Sequence, residues 1–145
     1  IIVSIVDRIA KEVQNIGKDL DLVKVLLAGF AFKGNPETSD MRDSTTLWML
    51  KSLKDTFDSK NIVGFDYMVP SSELSNLDIN ICNNIEEGVV DCDILILANN
   101  HKKYNDLDIN SILRKMSPKP IIYDSWGMLR DQIKDQDIIY MGVGF

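Results

Sequence analysis

The apolar residues of this chain follow two patterns along the sequence. Short unbroken apolar runs have the length of strands that are buried on both faces, as in a parallel sheet. Between these runs, apolar residues recur at steps of three and four, which is the period of an amphipathic helix. The predicted strands are 24–30, 61–67, 79–81, 93–98, 120–124 and 138–142, and the predicted helices are 2–16, 44–57, 84–90, 108–116 and 126–133.

This alternation of strands and helices predicts an α/β protein. The expected architecture is a doubly wound, mainly parallel sheet between two layers of helices, a three-layer α/β/α arrangement. Gly17 is expected to end the first helix, and Ser44 to cap the second. The strands near Leu27, Leu95 and Ile122 are expected in the interior of the sheet.

Composition limits the classes of ligand and partner. The chain has 145 residues, 45% apolar and 26% charged, which suits one globular domain with a real core. Its net charge of −6 disfavours nucleic acid and anionic membranes as partners, so a bound anion must be held by a local cluster of cations. Two cysteines and one histidine are too few for a zinc site. The cysteines are expected to be thiols in the core of a protein in a reducing compartment, and the expected location is therefore the cytoplasm. No run is long enough to span a bilayer and no signal peptide is evident.

The loop after the first predicted strand is the strongest candidate for binding chemistry. It carries Lys33 directly after the strand and Arg42 just before the helix that Ser44 caps. In open α/β sheets, ligands bind at the carboxyl ends of the strands, where cations and helix N–H groups can hold a phosphate. Arg42 has an alternative role, because it could instead form a surface ion pair with Asp40 or Asp43.

Two other polar residues at strand ends have structural explanations. We expect His101 to cap or pack a loop, and Asp124 to cap the helix that follows it. The chain contains no G-x-G-x-x-G, Walker lysine or G-x-S-x-G motif, so the dinucleotide-binding domain of a dehydrogenase is not predicted. Residue 1 is Ile rather than Met and already lies in a helical pattern, so we expect the sequence to be part of a longer protein.

Four segments, in this order, carry a resemblance over nearly the whole chain. The first is Gly-Phe-Ala-Phe-Lys at 29–33 with Asp-x-Arg-x-Ser at 40–44, and the second is the segment 91–101, an apolar strand that begins after aspartate and leads to histidine. The others are Ile-Ile-Tyr-Asp at 121–124 and Tyr-Met-Gly-Val-Gly at 140–144. Together they resemble the carboxy-terminal, UDP-sugar-binding domain of the UDP-glucose/GDP-mannose dehydrogenase family.

The resemblance implies a Rossmann-like fold and a role for each segment. Residues 21–145 would form the nucleotide-sugar-binding domain, and 1–20 the end of a linking helix from a missing central domain. Members of the family oxidise the C6 hydroxyl of a nucleotide sugar to a carboxylate and consume two NAD+. By resemblance, Phe32 and Lys33 would contact the UDP-sugar, and Arg42 the pyrophosphate of NAD, which a missing amino-terminal domain would mainly hold.

The resemblance also implies properties of the whole enzyme. The family's catalytic residues lie upstream, so this chain alone is expected to be inactive. The full-length enzyme would be an NAD-dependent, cytoplasmic homodimer that makes polysaccharide precursors.

Two features depart from the family pattern. Lys33 and Arg42 are separated by two more residues than in the commonest pattern, because of the segment 34–39. Asp124 is followed by Ser-Trp-Gly-Met, where many members carry an arginine that contacts substrate, and Arg130 does not align with that arginine. Both departures would suit a nucleotide sugar other than UDP-glucose.

The sequence leaves two other classes of protein as alternatives. One is a free-standing regulatory module that binds nucleotides without catalysis. The other is a flavodoxin-like or response-regulator-like domain, which would need a flavin loop or an acidic cluster at the strand ends; Asp124 alone is too little.

Overall fold

Six parallel strands form a single sheet in the computed structural model, which describes residues 2–133 and 136–145 and the side chains from residue 5 onward. The strand order β3–β2–β1–β4–β5–β6 is that of a doubly wound Rossmann-like fold, so the predicted fold class is confirmed. The strands are β1 Val25–Ala28, β2 Ile62–Phe65, β3 Asn80–Ile81, β4 Ile94–Leu97, β5 Ile121–Asp124 and β6 Ile139–Met141.

Helices connect the strands, and side-chain caps begin three of them. Ser44 Oγ accepts the N–H of Thr46, as predicted, and Asn84 and Asp108 cap the fourth and fifth helices in the same way. The α-helices are α1 Ile2–Asn15, α2 Thr45–Thr56, α3 Ser71–Leu74, α4 Ile85–Gly88, α5 Ile109–Lys115 and α6 Arg130–Ile133; short 3₁₀ helices lie at Ser59–Asn61, Ser75–Leu77 and Lys102–Asp106.

Alternate residues of the sheet face two separate apolar layers. Val25 and Leu27 of β1 pack with the buried residues of α1 and α2, whereas Leu26 and Ala28 pack with those of α4, α5 and α6. Every residue of β1, β4 and β5 is buried, because each of these strands has a neighbour on both sides and helices on both faces. The three-layer architecture and the interior position of these strands are therefore as predicted.

The first helix shows the expected amphipathic face. Val6, Ile9 and Val13 are fully buried in the layer that α1 shares with α2, and Ile5 and Ile16 are partly buried there. The side chain of Ile2, also expected on this face, lies outside the described side chains. The helix ends before Gly17, which has a φ of +79°.

The predicted helix 126–133 is wrong in its first half. The chain forms turns there, and α6 begins only at Arg130. Gly127 has a φ of +66°, which interrupts a helical path, and Asp124 Oδ2 accepts the N–H of Leu129 at 2.8 Å. Asp124 thus caps the chain that leads into α6, as expected, and Tyr140 donates a second hydrogen bond to the same oxygen at 2.7 Å.

Candidate functional site

The candidate site lies at the carboxyl ends of β1 and β4, two neighbouring strands in the sheet. The chain leaves β1 toward the helix layer of α2 and leaves β4 toward that of α5, which opens a crevice where the strand order reverses. Gly29 follows β1 with a φ of +104°, and a Cβ built on it would lie 2.7 Å from the backbone nitrogen of Asn99. Glycine is therefore required for the two loops to approach this closely.

The loop after β1 presents Phe32 and Lys33 to solvent. Phe32 is 47% exposed, and the ammonium group of Lys33 lies 5.2 Å from the centre of the Phe32 ring, a cation–π distance. The N–H of Phe32 donates to the carbonyl of Asp40 at 2.7 Å, so this hydrogen bond holds the two ends of the segment 33–39 together. The two residues by which the loop is longer than the commonest family pattern lie within this segment and do not separate its ends.

Arg42 forms the ion pair that was the alternative to ligand binding. Its Nε donates to both carboxylate oxygens of Asp40 at 3.0 and 3.1 Å, and its Nη2 donates to Oδ2 at 2.7 Å. These hydrogen bonds lower the pKa of Asp40 to about 2, so both groups are charged at neutral pH. The Arg42 side chain is still 88% exposed, and its Nη1 makes no hydrogen bond within the described residues.

Phe32 and Arg42 line the same open pocket. Its volume is about 340 Å³, and Asp40 and Asp43 complete its lining. The structure therefore brings all three sequence-predicted residues together: Phe32 and Arg42 line the pocket, and Lys33 lies against Phe32. Lys33 and the exposed edge of Arg42 offer donors to an anionic group, and Phe32 offers a flat apolar surface, while the carboxylates of Asp40 and Asp43 balance the formal charge of the two cations.

Asp66, which was not predicted as a site residue, holds the loop after β1 in place. Asp66 Oδ2 accepts the N–H groups of Phe30 and Ala31 at 2.7 and 2.9 Å. Its Oδ1 accepts those of Met68 and Val69 at 2.7 and 2.9 Å. The available signal was an aspartate immediately after β2, the position where a dinucleotide-binding domain binds a ribose hydroxyl. Here four backbone N–H groups occupy the carboxylate, so it is not free for that role.

His101 lies in the site with a structural role, as expected from its position. Its Nδ1 accepts the N–H of Lys103 and so caps the 3₁₀ helix Lys102–Asp106. Its Nε2 lies 2.7 Å from Oε2 of Glu37 in the loop after β1, a contact that the sequence analysis did not anticipate.

The described residues offer little for covalent or metal chemistry. Burial raises the pKa of the Cys82 thiol to about 11 and that of Cys92 to about 12, so both are protonated and unreactive at neutral pH. Within residues 2–133 and 136–145, no three side chains of His, Cys, Asp or Glu come together as a metal site. In the same residues, no helix has both the length and the apolar character needed to cross a membrane.

The fold and the site together define a doubly wound α/β domain with a pocket lined by Phe32, Asp40, Arg42 and Asp43 in the loop after β1, beside the switch point of the sheet. A sequence profile described as the UDP-glucose/GDP-mannose dehydrogenase family, UDP binding domain, matches residues 26–131. The chain belongs to this family, and the match covers the domain described as UDP-binding. No curated protein sequence matches the chain.

Solved structures of dehydrogenases share the fold. A UDP-D-ManNAc dehydrogenase from Pyrococcus horikoshii aligns with 92% of this chain at 20% identity and a TM-score of 0.74. An NDP-N-acetyl-D-galactosaminuronic acid dehydrogenase from Methanosarcina mazei Go1 aligns with 98% of it, also at 20% identity and 0.74. A UDP-glucose dehydrogenase from Pyrobaculum islandicum aligns with 95% at 20% identity and 0.68. The chain spans only 28–29% of the length of these three proteins.

Proposed function

We propose that this chain is the UDP-sugar-binding domain of an NAD-dependent nucleotide-sugar 6-dehydrogenase. The observation that carries the proposal is the loop after β1, in which Lys33 lies against Phe32 while Phe32 and Arg42 line one pocket, in a chain of net charge −6. The whole enzyme would oxidise the C6 hydroxyl of the sugar to a carboxylate for polysaccharide synthesis, and would act as a cytoplasmic homodimer. Residues 1–20 would end the linking helix, and 21–145 would bind the nucleotide sugar.

Each predicted residue has a role that suits its position. Lys33 supplies a point charge and three donors for diphosphate or sugar oxygens, and Phe32 supplies an apolar surface beside it. Arg42 has a planar guanidinium that suits the pyrophosphate of NAD, and its exposed Nη1 can donate while Asp40 holds the other edge. NAD, when bound, supplies the acceptor for the hydride that leaves C6. The described residues contribute binding and orientation to this reaction.

Titration calorimetry with UDP, UDP-sugars, FMN and NAD tests the proposal on this chain. We expect UDP and UDP-sugars to bind and FMN to give no heat. NAD is expected to bind far more weakly than UDP, because its main binding domain lies elsewhere. Tight binding of FMN, or no binding of any uridine nucleotide, would refute the proposal.

Lys33→Ala is expected to weaken UDP binding by about 1.5–3 kcal/mol, the usual worth of a hydrogen bond to a charged group. Arg42→Ala should leave UDP binding nearly unchanged, because its proposed partner is NAD; in the whole enzyme it should instead raise the Michaelis constant for NAD. Calorimetry on both variants measures the difference.

Lys60→Ala is the matched control for these variants. Lys60 is exposed and precedes β2. It therefore lies at the amino ends of the parallel strands, away from the candidate site at their carboxyl ends, and its loss should not change UDP affinity. If Arg42→Ala abolishes UDP binding and Lys33→Ala does not, the two assigned roles are reversed.

A further inference from the structure

The loop that follows β1 is fastened to the chain after β4 on both sides of residues 32–33. Asn99 Nδ2 donates to the carbonyl of Ala31 at 3.3 Å. Asn100 Oδ1 accepts the N–H of Gly34 at 3.0 Å. Nothing larger than glycine fits at position 34, because a Cβ there would overlap the backbone of residues 100–101. The backbone is thus held immediately before and immediately after the predicted ligand contacts.

A third contact fixes the far side of this loop. His101 Nε2 lies 2.7 Å from Glu37 Oε2, and the histidine side chain is only 4% exposed while that of Glu37 is 51% exposed. Nδ1 of His101 accepts the N–H of Lys103 at 3.2 Å, so it carries no proton. The proton of the neutral ring is therefore on Nε2, which donates it to the Glu37 carboxylate.

The His101 ring is held in a fixed orientation. It packs on Tyr67 with ring centres 4.9 Å apart and an interplanar angle of 34°, and Tyr104 lies edge-on at 6.5 Å. The N–H donor at Nε2 therefore has a fixed position, and its hydrogen bond holds the exposed side chain of Glu37.

Lys33 depends on this anchoring for its position. Its ammonium group makes no hydrogen bond within the described residues and lies over the ring of Phe32 on the same loop. Its position relative to the rest of the site is therefore set by the backbone on either side of it, which the segment 99–101 holds.

We propose that His101 is a positioning residue for ligand binding: through the hydrogen bond from Nε2 to Glu37, it keeps the loop 33–39 in the conformation that presents Lys33 to the diphosphate. The inference rests on the proposed function. Loss of the contact leaves the fold and the anchors at Ala31 and Gly34 in place but frees residues 35–39, so that binding must order this part of the loop again and affinity falls.

Substitution of Glu37 tests this proposal without disturbing the core, because Glu37 is exposed. Glu37→Ala should raise the Kd for UDP about 5- to 10-fold in calorimetry, the equivalent of one modest hydrogen bond. Its thermal midpoint should stay within about 2 °C of that of the wild type. Glu37→Gln should recover UDP affinity to within about twofold, because the amide oxygen still accepts from Nε2. Glu12→Ala, on α1, is the control and should bind UDP normally.

A spectroscopic readout isolates the contact itself. The nitrogen NMR spectrum of His101 should show a protonated Nε2 in the wild type and in Glu37→Gln, and the Nε2 proton should exchange faster with water in Glu37→Ala. If the wild type binds UDP and Glu37→Ala binds it equally well, the inference is overturned while the proposed function stands. If the wild type does not bind UDP, the proposed function and this inference both fall.

Discussion

Leu95→Asp is expected to unfold the domain, and Leu27→Asp should do the same from the opposite face of the sheet. Both leucines are fully buried, Leu27 in the layer of α1 and α2 and Leu95 in the layer of α4, α5 and α6. Each change removes a packed side chain and buries a carboxylate with no partner, which together cost about 5 kcal/mol or more. That loss is comparable with the whole stability of a typical domain, about 5–15 kcal/mol.

Circular dichroism during thermal denaturation measures this effect, and Leu22→Asp is the matched control. Leu22 is 75% exposed, so the same chemical change there should alter stability by no more than about 0.5 kcal/mol. A folded Leu95→Asp protein with a midpoint near that of the wild type would show that β4 is not an interior strand.

Asp66→Ala is expected to destabilise the domain by about 3–5 kcal/mol. The substitution leaves four backbone N–H groups without their acceptor in a place that is largely buried, and each unsatisfied group costs about 1–3 kcal/mol before water enters. The same carboxylate joins the loop after β1 to the loop after β2, so UDP binding should weaken as well.

The midpoint of thermal unfolding should fall by about 10 °C or more in Asp66→Ala. Asp55→Ala is the control, since Asp55 is exposed on α2 and its removal should leave the midpoint nearly unchanged. An Asp66→Ala midpoint that equals that of the control would mean that the four hydrogen bonds add nothing to stability.

The fold was predictable because local signals and burial agree along most of the chain. The apolar runs around β1, β4 and β5 have no polar face. This pattern is typical of interior strands of a parallel sheet, which are buried on both faces. Ser44 carries its capping signal in the sequence itself, directly before an amphipathic segment. The start of α6 was mispredicted because Gly127, with its left-handed φ, follows a strand-end aspartate whose carboxylate binds the turn instead.

The candidate site was predictable only where its residues are close in sequence. Phe32, Lys33 and Arg42 lie on one loop, and their spacing was visible without a structure. Asp66 and the loop it supports are 35–36 residues apart, and Glu37 and His101 are 64 apart. Such contacts depend on the strand order, which places the ends of β1, β2 and β4 side by side, and no local pattern specifies which side chain will reach across.

The central claim is that the pocket beside Phe32, Lys33 and Arg42 holds the nucleotide. The most direct measurement follows the backbone amide signals of isotope-labelled protein by NMR during titration with UDP. We expect saturable shifts concentrated in residues 29–34, 40–46 and 99–101. Shifts centred on the separate pocket near Lys60 and Asn80, or no shifts at all, would contradict it.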